Sequence, residues 1–273
     1  MQMLKGLSFF TAHGWCRRAV AGQRGFSLVE LSIVLVILGL LTGGILAGQS
    51  LIRAAELRTI GRDLEKYRTA HNLFRDKYFG MPGDLRNAYS FWQGDANCSS
   101  NTTVSAANNL GCNGDGDGTI NVNIGESYKY WLHLRLAGLI EGRYDGWYPA
   151  NFGGTGWYNH IAFGRNVPSW LNKQDAGFQI FSFPISWRGW TGGDTATNSR
   201  NRLQVGNWSN DVLPAQEAWN IDTKFDDGKP GLGALTANIV NVCTASGSTV
   251  ASTAEYNLGN AAPRCSGLDW AIE

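Results

Sequence analysis

The sequence is poor in charge and in long apolar segments, and each shortage excludes a class of protein. Charged residues make up 16% of the 273 residues and nearly cancel, which leaves a formal net charge of +1. This balance argues against a protein body that binds nucleic acid through bulk positive charge. Only one long apolar run is present, which excludes a multi-span membrane protein. The aromatic content of 12% and the hydrophobic content of 43% exclude general disorder.

Recognisable catalytic motifs are also lacking, and we therefore predict that the chain is not an enzyme. Ser186, Ser209 and Asp211 do not form a nucleophile motif, and no phosphate-binding glycine loop is present. Four histidines are scattered along the chain: His13, His71, His133 and His160.

The N-terminal segment is basic and is followed by the apolar run. Residues 1–25 carry four positive charges and no acidic side chain, and residues 31–52 carry no charge at all. A helix of this length spans about 33 Å, close to the hydrocarbon thickness of a bilayer. The positive flank is expected to stay in the cytoplasm and the chain after Ile52 to lie outside it.

Two ordinary explanations of such an N-terminus fit less well. A secretory signal peptide has a shorter apolar run that ends at a small-residue cleavage site, and no A-x-A-like site closes this one. A plain uncleaved anchor leaves Glu30 unexplained, because this residue directly precedes the uncharged run. A carboxylate at membrane depth costs a few kcal/mol and usually has a partner.

The order of residues at this point resembles the type IV pilin and pseudopilin superfamily. Residues 25–30 read GFSLVE, so that a glycine precedes a hydrophobic residue and a glutamate follows five positions after the glycine. About 20 apolar residues come next. The resemblance covers about 30 residues, and the complete pattern is highly specific.

The resemblance implies a role for each of these residues. Gly25 is expected to be the last leader residue, removed by a prepilin peptidase, and Phe26 to be the new N-terminus with a methylated amine. Glu30 is expected to pair with the Phe26 amine of a neighbouring subunit, because two opposite charges in an apolar filament core partly compensate each other. Expected partners are other pilin or pseudopilin subunits, the peptidase and an inner-membrane assembly platform; no direct nucleic-acid binding is predicted.

An amphipathic helix is predicted to continue from the apolar run. One stripe with alternating spacings of three and four contains Leu57, Ile60, Leu64, Tyr67, His71, Phe74 and Tyr78. His71 is interpreted as a packed histidine of this stripe rather than as a metal ligand. Because no proline interrupts residues 26–79, we predict a single helix that ends at the Gly80–Asp84 segment. The predicted parts are therefore a leader (1–25), a long helix (26–80) and a head (81–273).

The head is predicted to be an α+β domain with a mostly antiparallel sheet, which is also the fold that the resemblance implies. Asp84 is expected to cap a short helix that contains Leu85, Ala88, Tyr89 and Trp92. Two further helices are predicted at 126–138 and 214–224. The strand candidates are 159–164, 177–187, 203–208 and 236–243, and Pro184 favours an edge position for the second of these.

Four cysteines remain once a leader containing Cys16 is removed. An even number outside the cytoplasm favours disulfides. Of the three possible pairings we favour Cys98–Cys112 with Cys243–Cys265, which encloses short loops. A zinc site is the alternative, but no C-x₂-C spacing is present.

A second motif, NGDGDGTIN at residues 113–121, is similar to the start of a Ca²⁺-binding loop. It offers oxygens at alternate positions, a glycine at the sixth position and an apolar eighth residue. Position twelve is Ile124, and Glu126 would have to reach back. The alternative is a glycine-rich turn stabilised by the adjacent disulfide. The candidate ligands are Asn113, Asp115, Asp117, Thr119 and Glu126. No cofactor is required, and Ca²⁺ is possible.

A weaker metal candidate is formed by Asp222, Asp226 and Asp227, which also fit a helix end followed by a turn.

The sequence alone is compatible with three functions. The first is a major or minor pilin that polymerises through its N-terminal helix. The second is a pseudopilin of a type II secretion system, and the third is a membrane-anchored periplasmic binding module that does not polymerise. The expected location is the bacterial inner membrane with the head in the periplasm, followed by a filament.

Overall fold

The computed structural model describes residues 25–100, 111–147, 161–170, 173–183, 190–191, 199–207, 210–237, 243–245, 249–259 and 262–272. The chain divides into two compact units, Met1–Leu51 and Ile52–Glu273. The predicted leader therefore lies outside the described residues except for Gly25.

The first element is a single α-helix, α1, that runs over Leu28–Tyr78. Its first turn is capped from both directions, because Ser27 Oγ accepts a hydrogen bond from Val29 N and Glu30 Oε2 accepts one from Ser27 N. The helix ends where Phe79 adopts φ 54°, a left-handed conformation that terminates helices. The prediction of one uninterrupted helix over this segment is confirmed.

In the second unit, α1 buries one stripe of side chains against the head. Leu57 and Tyr78, at the two ends of the predicted stripe, are half-buried. Tyr67 contacts the rings of Trp131 and Phe178, with centroid distances of 5.0 Å and 4.9 Å. The buried residues of α1 are Ile60, Gly61, Leu64, Tyr67, Ala70, His71 and Phe74. The predicted stripe is therefore confirmed.

The described part of the head contains three shorter α-helices, α2 (Ala88–Phe91), α3 (Glu126–Leu136) and α4 (Ala215–Phe225), and a 3-10 helix at Val122–Ile124. The predictions at 126–138 and 214–224 are confirmed within two residues at each end. Gly138 has a φ of 72° directly after α3, which explains why that helix stops there.

The main sheet has four antiparallel strands in the order β1 (Gly177–Phe183), β2 (Arg200–Gly206), β6 (Gly267–Ala271) and β4 (Leu235–Ala237). A separate pair joins β3 (Leu213–Pro214) to β5 (Pro263–Cys265). Together with α1 and the short helices this is the predicted α+β, type IV pilin-like fold.

Three predicted strands are found in part. The strand predicted at 177–187 is β1, an edge strand, and Pro184 lies outside the described residues. The strand predicted at 203–208 begins three residues earlier than expected, and the one predicted at 236–243 is found as β4 over Leu235–Ala237, while residues 238–242 lie outside the described residues.

Two predictions about the head are wrong. Residues 161–164 contain no strand but only an isolated bridge from Phe163 to Val167, and residues 159–160 lie outside the described part. Asp84 does not cap α2, which follows Asn87 and has no side-chain cap. The Asp84 carboxylate instead accepts backbone hydrogen bonds from residues 116–118, because the glycine-rich loop folds directly onto it.

Candidate functional site

In the described part of the first unit, the apolar helix is exposed. The described residues from Gly25 to Leu51 are all exposed except the half-buried Gly48. Phe26 is 87% exposed and Leu40 is 73% exposed. Among the described helices, α1 is long and apolar enough to cross a membrane. An apolar surface of this size is stable only in lipid or against other apolar helices.

Phe26 and Glu30 lie together at the start of this helix. Gly25, Phe26 and Ser27 precede the first helical turn, so the predicted cleavage point between Gly25 and Phe26 lies in non-helical backbone. The Glu30 carboxylate is exposed and accepts one hydrogen bond, from Ser27 N at 2.8 Å. One of its oxygens thus caps the helix of its own chain, and the carboxylate keeps acceptor capacity for a second donor.

Both disulfides of the favoured pairing are present. Cys98 is bonded to Cys112, and Cys243 to Cys265. All four residues are buried. The first bond stabilises the chain next to the glycine-rich loop, and the second joins β5 to residue 243, so each closes a loop of the head.

The glycine-rich loop brings part of the predicted calcium ligand set together. Asp115 and Glu126 lie with Asp84 so that one carboxylate oxygen of each is within 4.8 Å of the others. Asp84 had not been predicted as part of this group, because 31 positions separate it from Asp115 and no spacing rule joins them. Gly114 permits this approach, since a Cβ there would collide with the Asp84 backbone.

The other predicted ligands, Asn113, Asp117 and Thr119, take part in hydrogen bonds with backbone amides. Asn113 Oδ1 accepts a hydrogen bond from Tyr89 N at 2.8 Å, and Asp117 Oδ1 accepts one from Thr119 N at 2.7 Å. Asp117 lies outside the three-carboxylate group. Of the predicted ligands, Asp115 and Glu126 therefore lie close together, and Asp84 joins them. Ca²⁺ binding stays a prediction.

The buried carboxylates of this loop have unusual acidities. Burial raises the pKa of Glu126 to about 7, against hydrogen bonds from Asn121 N and Asp115 N that favour the charged form. Burial likewise raises the pKa of Asp84 above its usual value. Lys129 lies in the same α3 helix, is 8% exposed, and donates a hydrogen bond from Nζ to the carbonyl oxygen of Asn113 at 2.8 Å.

The second acidic group, Asp222, Asp226 and Asp227, forms the end of α4 and the turn after it. Asp222 is fully buried and accepts hydrogen bonds from Tyr256 Oη at 2.7 Å and from Gly228 N at 3.1 Å. Burial raises the pKa of Asp222 to about 7. The three residues thus lie at a helix end and in the turn that follows, and metal binding by this group stays a prediction.

The two buried histidines of the described residues, His133 and His71, have structural partners. His133 Nδ1 accepts a hydrogen bond from Gly83 N, and Nε2 donates one to the carbonyl oxygen of Cys112. Burial lowers the pKa of His133 to about 3, so the ring is neutral at physiological pH. His71 packs in the α1 stripe and hydrogen-bonds the hydroxyl of Tyr130, as expected for a packed histidine. His13 and His160 lie outside the described residues.

Comparison with known proteins identifies the N-terminal segment. The family model of the prokaryotic N-terminal methylation motif matches residues 21–46, which include Gly25, Phe26 and Glu30. This motif is the signature of type IV pilins and pseudopilins. No curated protein and no solved structure matches the chain.

Proposed function

We propose that this chain is a structural subunit of a type IV pilus-like filament, cleaved between Gly25 and Phe26 by a prepilin peptidase and polymerised through the first half of α1. The assignment to the type IV pilin or pseudopilin class rests on the methylation motif. Our proposal adds to this class the polymerisation into a filament, the methylation of the Phe26 amine and the pairing of that amine with Glu30.

One observation carries the proposal: the same helix is apolar on all sides before residue 52 and amphipathic after it. The second half of α1 is held by the head, whereas the described part of the first half has no cover in the single chain. Lipid covers such a surface before assembly, and the equivalent helices of neighbouring subunits cover it in a filament. A plain anchor needs only the lipid and has no use for Glu30.

Mass spectrometry of the N-terminus of the native protein tests the processing step. We expect a mature chain that begins at Phe26 and carries a methyl group on its amine. Gly25→Val should leave the leader attached, whereas the matched change Gly39→Val, in open space within the helix, should leave cleavage intact. A native chain that keeps its leader or begins at another residue contradicts the proposal and leaves the anchored binding module.

Deletion of the protein distinguishes the pilin from the pseudopilin. Loss of extracellular fibres with normal secretion supports a pilus subunit. Loss of type II secretion with normal fibres supports a pseudopilin, which has the same assembly chemistry in a short periplasmic filament. The matched motif is common to the two, so this choice rests on the phenotype.

A further inference from the structure

Two adjoining cavities of the head are lined by residues of α1, β2 and β6. They have volumes of about 400 Å³ and 320 Å³, and they share the lining residues Arg200 and Ile272. Arg68 lines the first cavity and Arg75 lines the second. We name this place the arginine groove, after Arg68, Arg75 and Arg200. None of the described residues that line the two cavities is acidic, so the groove is suited to an anion.

Helix geometry places two of the arginines in one line. Arg68, Asn72 and Arg75 are spaced by four and three positions, so their side chains leave the same face of α1, and all three are exposed. The backbone positions of the two arginines are therefore about 10 Å apart along the helix, with a neutral amide between them. Arg200, at the start of β2, adds a third positive charge to the groove.

Packing holds Arg68 in place. Its guanidinium lies over the ring of Trp270 in β6, 5.2 Å from the ring centroid, and this tryptophan is 5% exposed. An arginine that stacks on an aromatic face keeps the N–H donors at its edge for other partners. A guanidinium has five such donors, so bonds to the protein itself leave donors for an anion. A side chain that is already positioned also loses less entropy when a ligand binds.

Neutral polar groups complete the lining and indicate the kind of anion. Thr119 and Ser182 are half-buried beside Arg75, and Asn72 lies beside Arg68. Hydroxyl and amide groups of this kind bind the hydroxyls of a sugar. A nucleic-acid strand carries a phosphate about every 3.4 Å and stacks its unpaired bases on aromatic rings. The arginines of α1 are spaced more widely than that, and the one aromatic ring in the described lining, Trp270, is covered by Arg68.

We propose that the arginine groove binds an acidic polysaccharide in which charged and neutral sugars alternate. The guanidinium groups bind the carboxylates of the charged sugars through paired N–H donors, and the hydroxyl and amide groups bind the neutral sugars between them. This inference concerns the head and is independent of the proposed filament function.

Binding of a fluorescently labelled hyaluronate octasaccharide to the full-length protein in nonionic detergent micelles tests the inference, because this probe alternates carboxylated and neutral sugars. We expect saturable binding that weakens as the salt concentration rises, and no binding of a neutral maltodextrin of equal length. Arg75→Gln and Arg200→Gln should each weaken binding by about tenfold or more. Arg62→Gln is the matched control and should bind like the wild type, because Arg62 is an exposed arginine of α1 outside both cavities.

A conservative variant separates lost contacts from lost folding. Arg75→Lys keeps the charge without the planar pair of donors, so it should recover part of the affinity that Arg75→Gln loses. The Tm of each variant shows whether the head is folded.

Four results would overturn the inference. A wild type that does not bind the probe has no such site, and equal affinity of the wild type and both glutamine variants would place the sugar elsewhere. Tighter binding of an oligothymidylate of the same charge would assign the groove to single-stranded nucleic acid. Binding that appears only after Glu273→Gln would assign the arginines to the acidic residue that follows Ile272 in the chain.

Discussion

The two halves of α1 have the same backbone structure and opposite surroundings. Residues 31–51 carry no charge and are exposed apart from the half-buried Gly48, whereas residues 52–78 are amphipathic and bury one stripe of side chains. A helix needs a hydrophobic period only where one face meets a folded body and the other meets water. The first half of α1 is therefore suited to uniformly apolar surroundings, and the second half is suited to packing against one partner, the head of the same chain.

The largest expected effect is on assembly and comes from Glu30→Ala. Leaving the Phe26 amine of a neighbour unpaired in an apolar core costs about 3–5 kcal/mol, so filament incorporation should fall by far more than tenfold. Membrane insertion and the Tm of the head should not change. Filament incorporation is measured by shearing and immunoblotting of surface fibres.

Glu65→Ala is the matched control, because Glu65 is an exposed glutamate in the second half of the same helix. It should assemble normally. If Glu30→Ala is incorporated into filaments as well as the wild type, Glu30 does not stabilise the filament by pairing with the Phe26 amine.

The next effect concerns the stability of the head. The same substitution, leucine to alanine, is compared in the two halves of α1. Leu64 is fully buried and Leu40 is 73% exposed. Leu64→Ala should lower the free energy of unfolding of the head by about 3 kcal/mol through lost burial and a residual cavity. Leu40→Ala should change it by less than about 0.5 kcal/mol. Denaturant unfolding followed by tryptophan fluorescence in micelles measures both, and equal effects would contradict the division of the helix.

Two glycines, one in each half of α1, provide a further test of the difference between the halves. A Cβ at Gly61 would collide with the ring of Phe225, whereas a Cβ at Gly43 meets nothing within 4 Å. Overpacking costs about 1–3 kcal/mol, which outweighs the gain of about 1 kcal/mol in helix propensity. Gly61→Ala should therefore destabilise the head, and Gly43→Ala should not. A stabilised Gly61→Ala head in denaturant unfolding would show that Phe225 moves away freely.

The remaining expected effect is a pH dependence of the head that packs against the second half of α1. His133 packs against Phe74 of α1, and its folded-state pKa of about 3 lies below the unfolded value of about 6.5. The unfolded chain binds a proton first as the pH falls below 6.5, so the stability contributed by neutral His133 is lost between pH 6.5 and 3.

The measurable quantity is the difference in unfolding free energy between the wild type and His133→Gln as a function of pH. It should shift in favour of the wild type by at most about 1.4 kcal/mol per pH unit as the pH rises from 4 to 6.5. A difference that does not depend on pH would mean that His133 is not neutral and buried in the folded head.

Local signals were sufficient for the helices and for the disulfide pairs. The stripe of α1 follows from spacing alone, because a helix that packs against a body repeats its contacts every three or four residues. The end of α1 follows from Gly80 and Pro82, and the start of α4 follows from Pro214. Short loops favoured the cysteine pairs, and the structure contains both of them.

Long-range pairing was the part that sequence patterns did not predict. Strand β6 pairs with β2 although more than 60 residues separate them, and no strand was predicted after residue 243. Its five residues, GLDWA, include Asp269, which is fully buried. Such a segment has no clear alternation of apolar and polar residues, because both of its faces are covered.

Asp84 and Lys129 illustrate the same limit within the candidate ion loop. A residue before a predicted helix is a reasonable cap, yet Asp84 binds the amides of a loop that follows about 30 residues later. Lys129 was assigned to a helix without any role in the loop. Only the folded chain places Asp84 beside Asp115 and Glu126 and brings Lys129 Nζ to the carbonyl oxygen of Asn113.

By itself the sequence determined a basic N-terminal segment, a glycine followed by phenylalanine and a glutamate, an uncharged run long enough for a bilayer, and an amphipathic continuation, because these features depend on neighbouring residues and helical geometry alone. The tertiary structure decided which strands pair and which carboxylates meet. Contacts of this kind join residues far apart in the chain, and their free energy depends on burial and on distances that only packing sets.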